Sequence, residues 1–266
     1  METTDSLSVL IAHVIPFTLV LFRLAGVFLM APILTSTMIP TKFRALLATV
    51  LAVAAYPMVA PVLTAPAEID LFGLLPLIAC EAMIGLCVGA LAAIPLLSLE
   101  LSGVMMGQSI GFGLARVYNP ESDVDTDLLG QLLLMVATGV FVAVGGIESL
   151  FGGIVRSFER VPVGSVGAGQ APLDLFLGVL ASGCDLGLRV AMPVVGSTLL
   201  LVIVLGVVGK TMPQINIMTV GFAIKIFAGL CVLALAMVAV REIVGTATDD
   251  AIDRSLAWLQ SLGGAR

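Results

Sequence analysis

The sequence predicts an all-α membrane protein built of long, kinked helices. Hydrophobic residues make up 59% of the chain and charged residues 11%, with a mean hydropathy of +1.17. Soluble domains run near 45–50% apolar and about 25% charged. The apolar residues also fall into six long runs, and several exceed the ~18 residues that mark a membrane-span candidate. In water, a chain of this makeup would expose large apolar patches and aggregate.

The first run covers residues 7–34. Glu2 and Asp5 stand where a secretory signal carries basic residues, and the run outlasts a signal's apolar core, so it is expected to stay as the first membrane helix. A break at 35–44 precedes the run at 45–63, and a second break at 64–70 precedes the run at 71–106. The next runs are 128–155, 173–208 and 215–240, separated by polar or Pro-containing stretches at 107–127, 156–172 and 209–216. Beyond Arg241, Thr248, Asp249 and Asp250 form a cap signal. They predict a short amphipathic helix carrying Ile252, Leu256, Leu259 and Leu262, lying at an interface.

Two runs are over-long. Residues 71–106 and 173–208 would each span roughly 54 Å as straight helix, against a hydrocarbon core of about 30 Å. Pro76, Pro95 and Pro193 fall inside them, where proline kinks or splits a helix. Each run is therefore a bent hairpin, or a helix that leaves lipid and continues inside protein. Charge bias sets no orientation: with alternating spans, one side holds Lys42, Arg44, Arg116 and Lys210, and the other Arg156, Arg160, Arg241, Arg254 and Arg266.

Arg23, Glu81, Glu100, Glu148, Arg189 and Lys225 lie within or at the ends of the runs. A charge at a helix centre costs about 2.5–3.5 kcal/mol on insertion scales, so six facing lipid would cost on the order of 15–20 kcal/mol. That rivals a whole folding stability. Most must pair, reach an interface, or face protein. Glu81, Gly85 and Gly89 share one helix face, as do Gly221, Lys225 and Gly229, and such glycine faces admit another backbone. Arg23, Glu81 and Lys225 are thus the candidate buried-charge or assembly residues, with Glu81 pairing either Lys225 or Arg23.

Gly103, Gly107 and Gly111 repeat at four-residue spacing, Gly113 follows Phe112, and the chain then turns polar through Arg116, Asn119, Pro120, Glu121 and Asp123. No Lys-Ser/Thr follows, so this is no phosphate loop. The stretch predicts a glycine-hinged constriction sealed by Met105, Met106, Ile110 and Phe112, since methionine conforms to irregular shapes. The alternative is a loop after a close-packed helix.

Enzymatic chemistry has no footing. His13 is the only histidine, and HExxH, GxSxG and nucleotide fingerprints are absent. Cys80, Cys87, Cys184 and Cys231 sit in apolar runs and are expected as reduced packing residues. No basic run tracks a phosphate backbone, so no nucleic acid is expected as partner, and no metal or cofactor is expected.

Residues 205–230 carry Pro213-Gln214-Ile215-Asn216, then Gly221, Lys225 and Gly229. Arg23, Phe28, Ala31-Pro32, Pro40 and Arg44 open the chain, with Glu81, Gly85 and Gly89 in the middle. Gly145-Gly146, Ser157-Phe158, Pro162 and Gly164 follow. In this order and spacing the chain resembles the FliR/SctT-type family of type III export-gate proteins over nearly its whole length. It departs at Glu148, where the family often has His, and at Lys210, where Arg is common.

The resemblance implies a bacterial inner-membrane, multi-pass subunit of the flagellar basal body that joins FliP-like and FliQ-like subunits. FlhB-like and FlhA-like components would be further partners in that apparatus. Together the gate subunits would form an entry channel for unfolded exported proteins. It implies a FliP-like part over residues 1–180 fused to a FliQ-like hairpin and tail over 181–266, with the plug loop on residues 107–119. The candidate gate residues are then Met105, Met106, Gly107, Ile110, Gly111, Phe112 and Gly113. Faces turned to partner subunits would account for the over-long runs and buried charges, with membrane lipid against the rest. A secondary transporter or small-solute channel is the alternative, and predicts inverted repeats.

Overall fold

A computed structural model describes residues 2–31, 40–59, 71–112, 128–164, 173–212 and 217–263. Among these residues the chain is helical, with no strand. The helices are α1 (Glu2–Met30), α2 (Thr41–Val59), α3 (Leu71–Ile110), α4 (Leu128–Ala143), α5 (Gly146–Arg160), α6 (Leu173–Thr211) and α7 (Ile217–Gly263). Gly113, the rest of the 107–119 loop beyond Phe112, and Pro213-Gln214-Ile215-Asn216 lie outside the described residues.

The over-long runs are single helices, not hairpins. α3 has 40 residues and α6 has 39, with Pro76 and Pro95 inside the first and Pro193 inside the second. Each proline removes one backbone hydrogen bond without ending the helix, because neighbouring groups can re-satisfy the freed carbonyl in an apolar surround. The run at 128–155 instead divides. Gly145 adopts φ 78°, a left-handed conformation that a side-chain-bearing residue resists, and α5 starts there and continues to Arg160.

The tail corrects another expectation. No separate helix begins at Thr248: α7 runs unbroken for 47 residues, and Thr248 is buried within it. The side chains expected on an amphipathic tail helix belong to positions whose placement is not described.

Among the described residues, four helical segments are long and apolar enough to cross a membrane: His13–Met30, Gly73–Ile110, Leu180–Thr211 and Thr219–Val238, with a fifth if the bent pair α4–α5 counts as one span. The chain is an all-α membrane protein. Half of the α3 segment is buried within the molecule, against 22% and 17% of the α6 and α7 segments. Leu199, Leu200, Ile203, Val207, Phe227 and Leu235 are exposed and need lipid or another protein as solvent.

The chain forms two compact units. The first comprises Met1–Ile94, Gly145–Val179 and Thr248–Arg266. Its core joins Leu19, Val20, Leu24 and Val27 of α1, Val88 and Ala92 of α3, and Leu150, Ile154 and Phe158 of α5. The α5 residues recur every four positions, while Arg156, Glu159 and Arg160 are exposed on the other face. α2 packs on α1, with Tyr56 Oη 2.7 Å from His13 Nδ1 and its ring edge-on to Phe17. The second unit comprises Pro95–Val144 and Leu180–Ala247, and it buries Leu96, Leu99, Met106, Ile110, Leu133, Phe141, Val194 and Val244.

Candidate functional site

Two constellations stand out, one in each unit. In the first, the choice of partner for Glu81 is settled: it takes Arg23. Both residues are 1% exposed. Arg23 Nε donates to Glu81 Oε2 at 2.5 Å, and Nη1 donates to the carbonyls of Ser157 and Val161 at 3.2 and 3.0 Å. Glu81 Oε1 accepts the Gly164 N–H at 2.8 Å. The Phe158 ring covers the guanidinium at 4.6 Å from its centroid, a cation–π contact strengthened by exclusion of water. One pair of charges thus ties α1, α3 and the turn after α5 together. Arg23 Nη2 has no acceptor among the described residues.

Glycines make the pair possible. A Cβ on Gly26 would overlap the Ala82 carbonyl, one on Gly85 would overlap the Arg23 carbonyl, and one on Gly89 would lie 2.7 Å from the Val27 carbonyl. The two helices therefore touch backbone to backbone beside the ion pair. Lys225 is half-buried and has no ion-pair partner among the described residues. Arg189 pairs with Asp185 one turn away at 2.8 Å, with both side chains exposed. No group of three or more His, Cys, Asp or Glu side chains could hold a metal ion among the described residues.

The second constellation is the end of α3. The Gly107 carbonyl accepts the N–H groups of both Gly111 and Phe112, and the helix ends as Gly111 adopts φ 112°. Phe222 of α7 lies against Gly111, its ring 2.8 Å from where a Cβ would stand, and Ile110 fills the space over Gly229 of the same helix. Ser109 and Thr198 of α6 share a hydrogen bond of 2.5 Å. Further back, Gly103 meets the Leu129 backbone, and Gly130 meets the Glu100 carbonyl and Val104, so α4 packs onto α3. Met106 and Ile110 are wholly buried, whereas Met105 and Phe112 are half-buried. Of the four apolar residues expected to form a seal, two are thus committed to packing inside this chain.

Gly111→Ala is expected to destabilise by about 1–3 kcal/mol from backbone strain alone, and to displace the Phe222 ring as well. A lowered unfolding midpoint of the detergent-purified protein is the result that checks it.

Sequence reasoning flagged Arg23 and Glu81 but not what completes their site. Ser157 and Val161 contribute carbonyls, which every residue carries, so no side-chain signal marks them. Phe158 and Gly164 carry no charge, so their residue types alone do not mark them as partners of an ion pair. The Ser109–Thr198 bond was missed because isolated hydroxyls in apolar helices usually bond their own helix, as Thr138 does to the Leu134 carbonyl.

The fold and these sites define a polytopic helical membrane protein whose long helices are joined by glycine-lined contacts and a buried ion pair. Residues 14–251 match the family described as bacterial export proteins, family 1, and the chain belongs to that family. It is 26% identical over 232 residues to the flagellar biosynthetic protein FliR of Bacillus subtilis (strain 168), covering 86% of this chain and 88% of the relative. It is 26% identical to FliR of Escherichia coli (strain K12) over 223 residues, 82% of each chain. It is 27% identical to the Yop proteins translocation protein T of Yersinia pestis over 214 residues, 79% of this chain and 80% of the relative.

Proposed function

We propose that this chain is a non-enzymatic subunit of the bacterial type III protein-export apparatus, forming and sealing the entry pore for unfolded substrates. The observation that carries this reading is the breadth of the match. A relative named for flagellar biosynthesis and one named for Yop translocation each align with about four-fifths or more of the chain. The description of the matching family names export, and its match over residues 14–251 spans both constellations. In this reading the protein sits in the inner membrane at the flagellar basal body. It assembles with FliP-like and FliQ-like subunits alongside FlhB-like and FlhA-like components. Residues 1–180 form the FliP-like portion and 181–266 the FliQ-like portion. Met105 and Phe112, the half-buried members of the α3 terminus, are the described side chains best placed to serve a seal.

The apolar faces of α6 and α7 fit the assembly part of this reading, because they offer surface that partner subunits can cover alongside lipid. Co-purification tests it: two other small apolar proteins should accompany the tagged chain in unequal ratio, and deletion of the gene should abolish secretion of hook and filament proteins. Continued secretion, or solute uptake by the purified chain alone in liposomes, would refute it. Deleting residues 113–119 of the 107–119 loop, which spares the packed end of α3, is expected to leave assembly largely intact while making the membrane leaky to small solutes. Unchanged permeability with normal assembly would place the seal elsewhere.

A further inference from the structure

Helix α3 is fastened by contacts of opposite character along its length. In the first unit, Glu81, Gly85 and Gly89 hold it to α1 backbone on backbone, with a buried ion pair alongside. That contact cannot part without stranding charges in an apolar interior. In the second unit, the last turn of α3 meets α7 differently. Ile110 sits over Gly229, and the Phe222 ring sits against Gly111. These contacts are apolar and non-directional, so separating them leaves no buried donor or acceptor unpaired. On one side the turn ends at Gly111, whose φ of 112° favours glycine, and on the other Ser109 bonds Thr198 of α6. α7 is also lightly held, with 17% of its Thr219–Val238 segment buried.

We propose that Ile110 over Gly229 and Phe222 against Gly111 form a separable latch, holding the end of α3 to α7 at rest and parting when a chain is exported. The inference rests on the export-gate reading of the α3 terminus. It adds which contact opens, and it makes Phe222 and Gly229 positioning residues that act on the gate from a different helix. Parting an ion pair or a buried hydrogen bond would strand polar groups in an apolar surround. An isoleucine in a glycine notch seals by shape and releases without leaving a polar debt.

The geometry offers a direct test. A Cβ on Gly229 would lie 3.6 Å from the Ile110 Cβ, within the ~3.5–4.5 Å that a disulfide requires. The Ile110→Cys, Gly229→Cys pair is made in the whole apparatus, with Cys80, Cys87, Cys184 and Cys231 replaced by Ala and that cysteine-free protein as reference. On mild oxidation the pair should cross-link, and secretion should fall to the level of the gene-deletion strain and return with reductant. Cross-linking with undiminished secretion would overturn the latch while leaving the export-gate reading intact, as would failure to cross-link in assembled complexes. The export-gate reading fails separately, if the deletion strain still secretes. Should the cysteine pair not assemble, Phe222→Ala decides the matter. It is expected to assemble normally and to leak small ions at rest, and a membrane that stays tight would overturn the proposal.

Discussion

Glu81→Ala is expected to destabilise the protein by about 3–5 kcal/mol, the cost of breaking a buried pair and leaving its partner charged. Arg23 would remain 1% exposed, its charge answered only by two backbone carbonyls and the Phe158 ring. The Gly164 N–H would lose its acceptor too. Against a total stability of about 5–15 kcal/mol, such a loss should reduce the steady-state amount in the membrane and lower the unfolding midpoint in detergent. Removing both charges together, as Arg23→Met with Glu81→Leu, should recover much of it. Recovery should be incomplete, because the Val161 carbonyl and the Gly164 N–H stay unpaired at about 1–3 kcal/mol each. The Ser157 carbonyl fares better, since it already accepts the Val161 N–H. An unchanged midpoint for Glu81→Ala would show that the pair contributes nothing to holding the helices together.

Gly85→Val should be about as severe. Overpacking a core costs typically about 1–3 kcal/mol, and sometimes more. Here the obstacle is the Arg23 backbone itself, which has no rotamer to swing aside, so the upper end or beyond is expected. The two helices must move apart, and the ion pair one turn away must stretch with them. Gly85→Val and Glu81→Ala should therefore be non-additive, the double variant losing less than the sum. Gly152→Ala is the control: nothing lies within 4 Å of a Cβ there, so it should be neutral or stabilising by about 0.4–1 kcal/mol. Equal losses at Gly85 and Gly152 would mean that close helix approach is not why Gly85 is glycine.

Much of the helical layout was legible, because long apolar runs leave the backbone no other way to satisfy its hydrogen bonds in a membrane. The exceptions have local causes. The break at Gly145 was hidden by apolar neighbours, since a positive φ has no hydropathy. The cap signal at Thr248-Asp249-Asp250 misled because such residues favour a helix start only where the chain is free to begin one, and α7 arrives there already helical. At the ion pair, the charges and the glycine face were readable. The choice of Arg23 over Lys225 was not, because spacing along one helix says nothing about which other helix lies opposite. At the end of α3, the sequence showed glycines and apolar side chains in the right order. It could not show that Met106 and Ile110 turn inward while Met105 and Phe112 stay half-open.

The Arg23 site also imposes an order in time on synthesis. Its carboxylate lies 58 residues later in the chain, and its carbonyl acceptors 134 and 138 residues later. At about 5–20 residues per second, the ribosome delivers Glu81 roughly 3–12 s after Arg23, and the turn after α5 roughly 7–28 s after it. Throughout that interval α1 carries an arginine costing about 2.5–3.5 kcal/mol at a helix centre, with nothing yet made to answer it. The first helix therefore enters the bilayer with a penalty that its own apolar residues must offset, and only the later arrival of α3 and of the turn after α5 removes it.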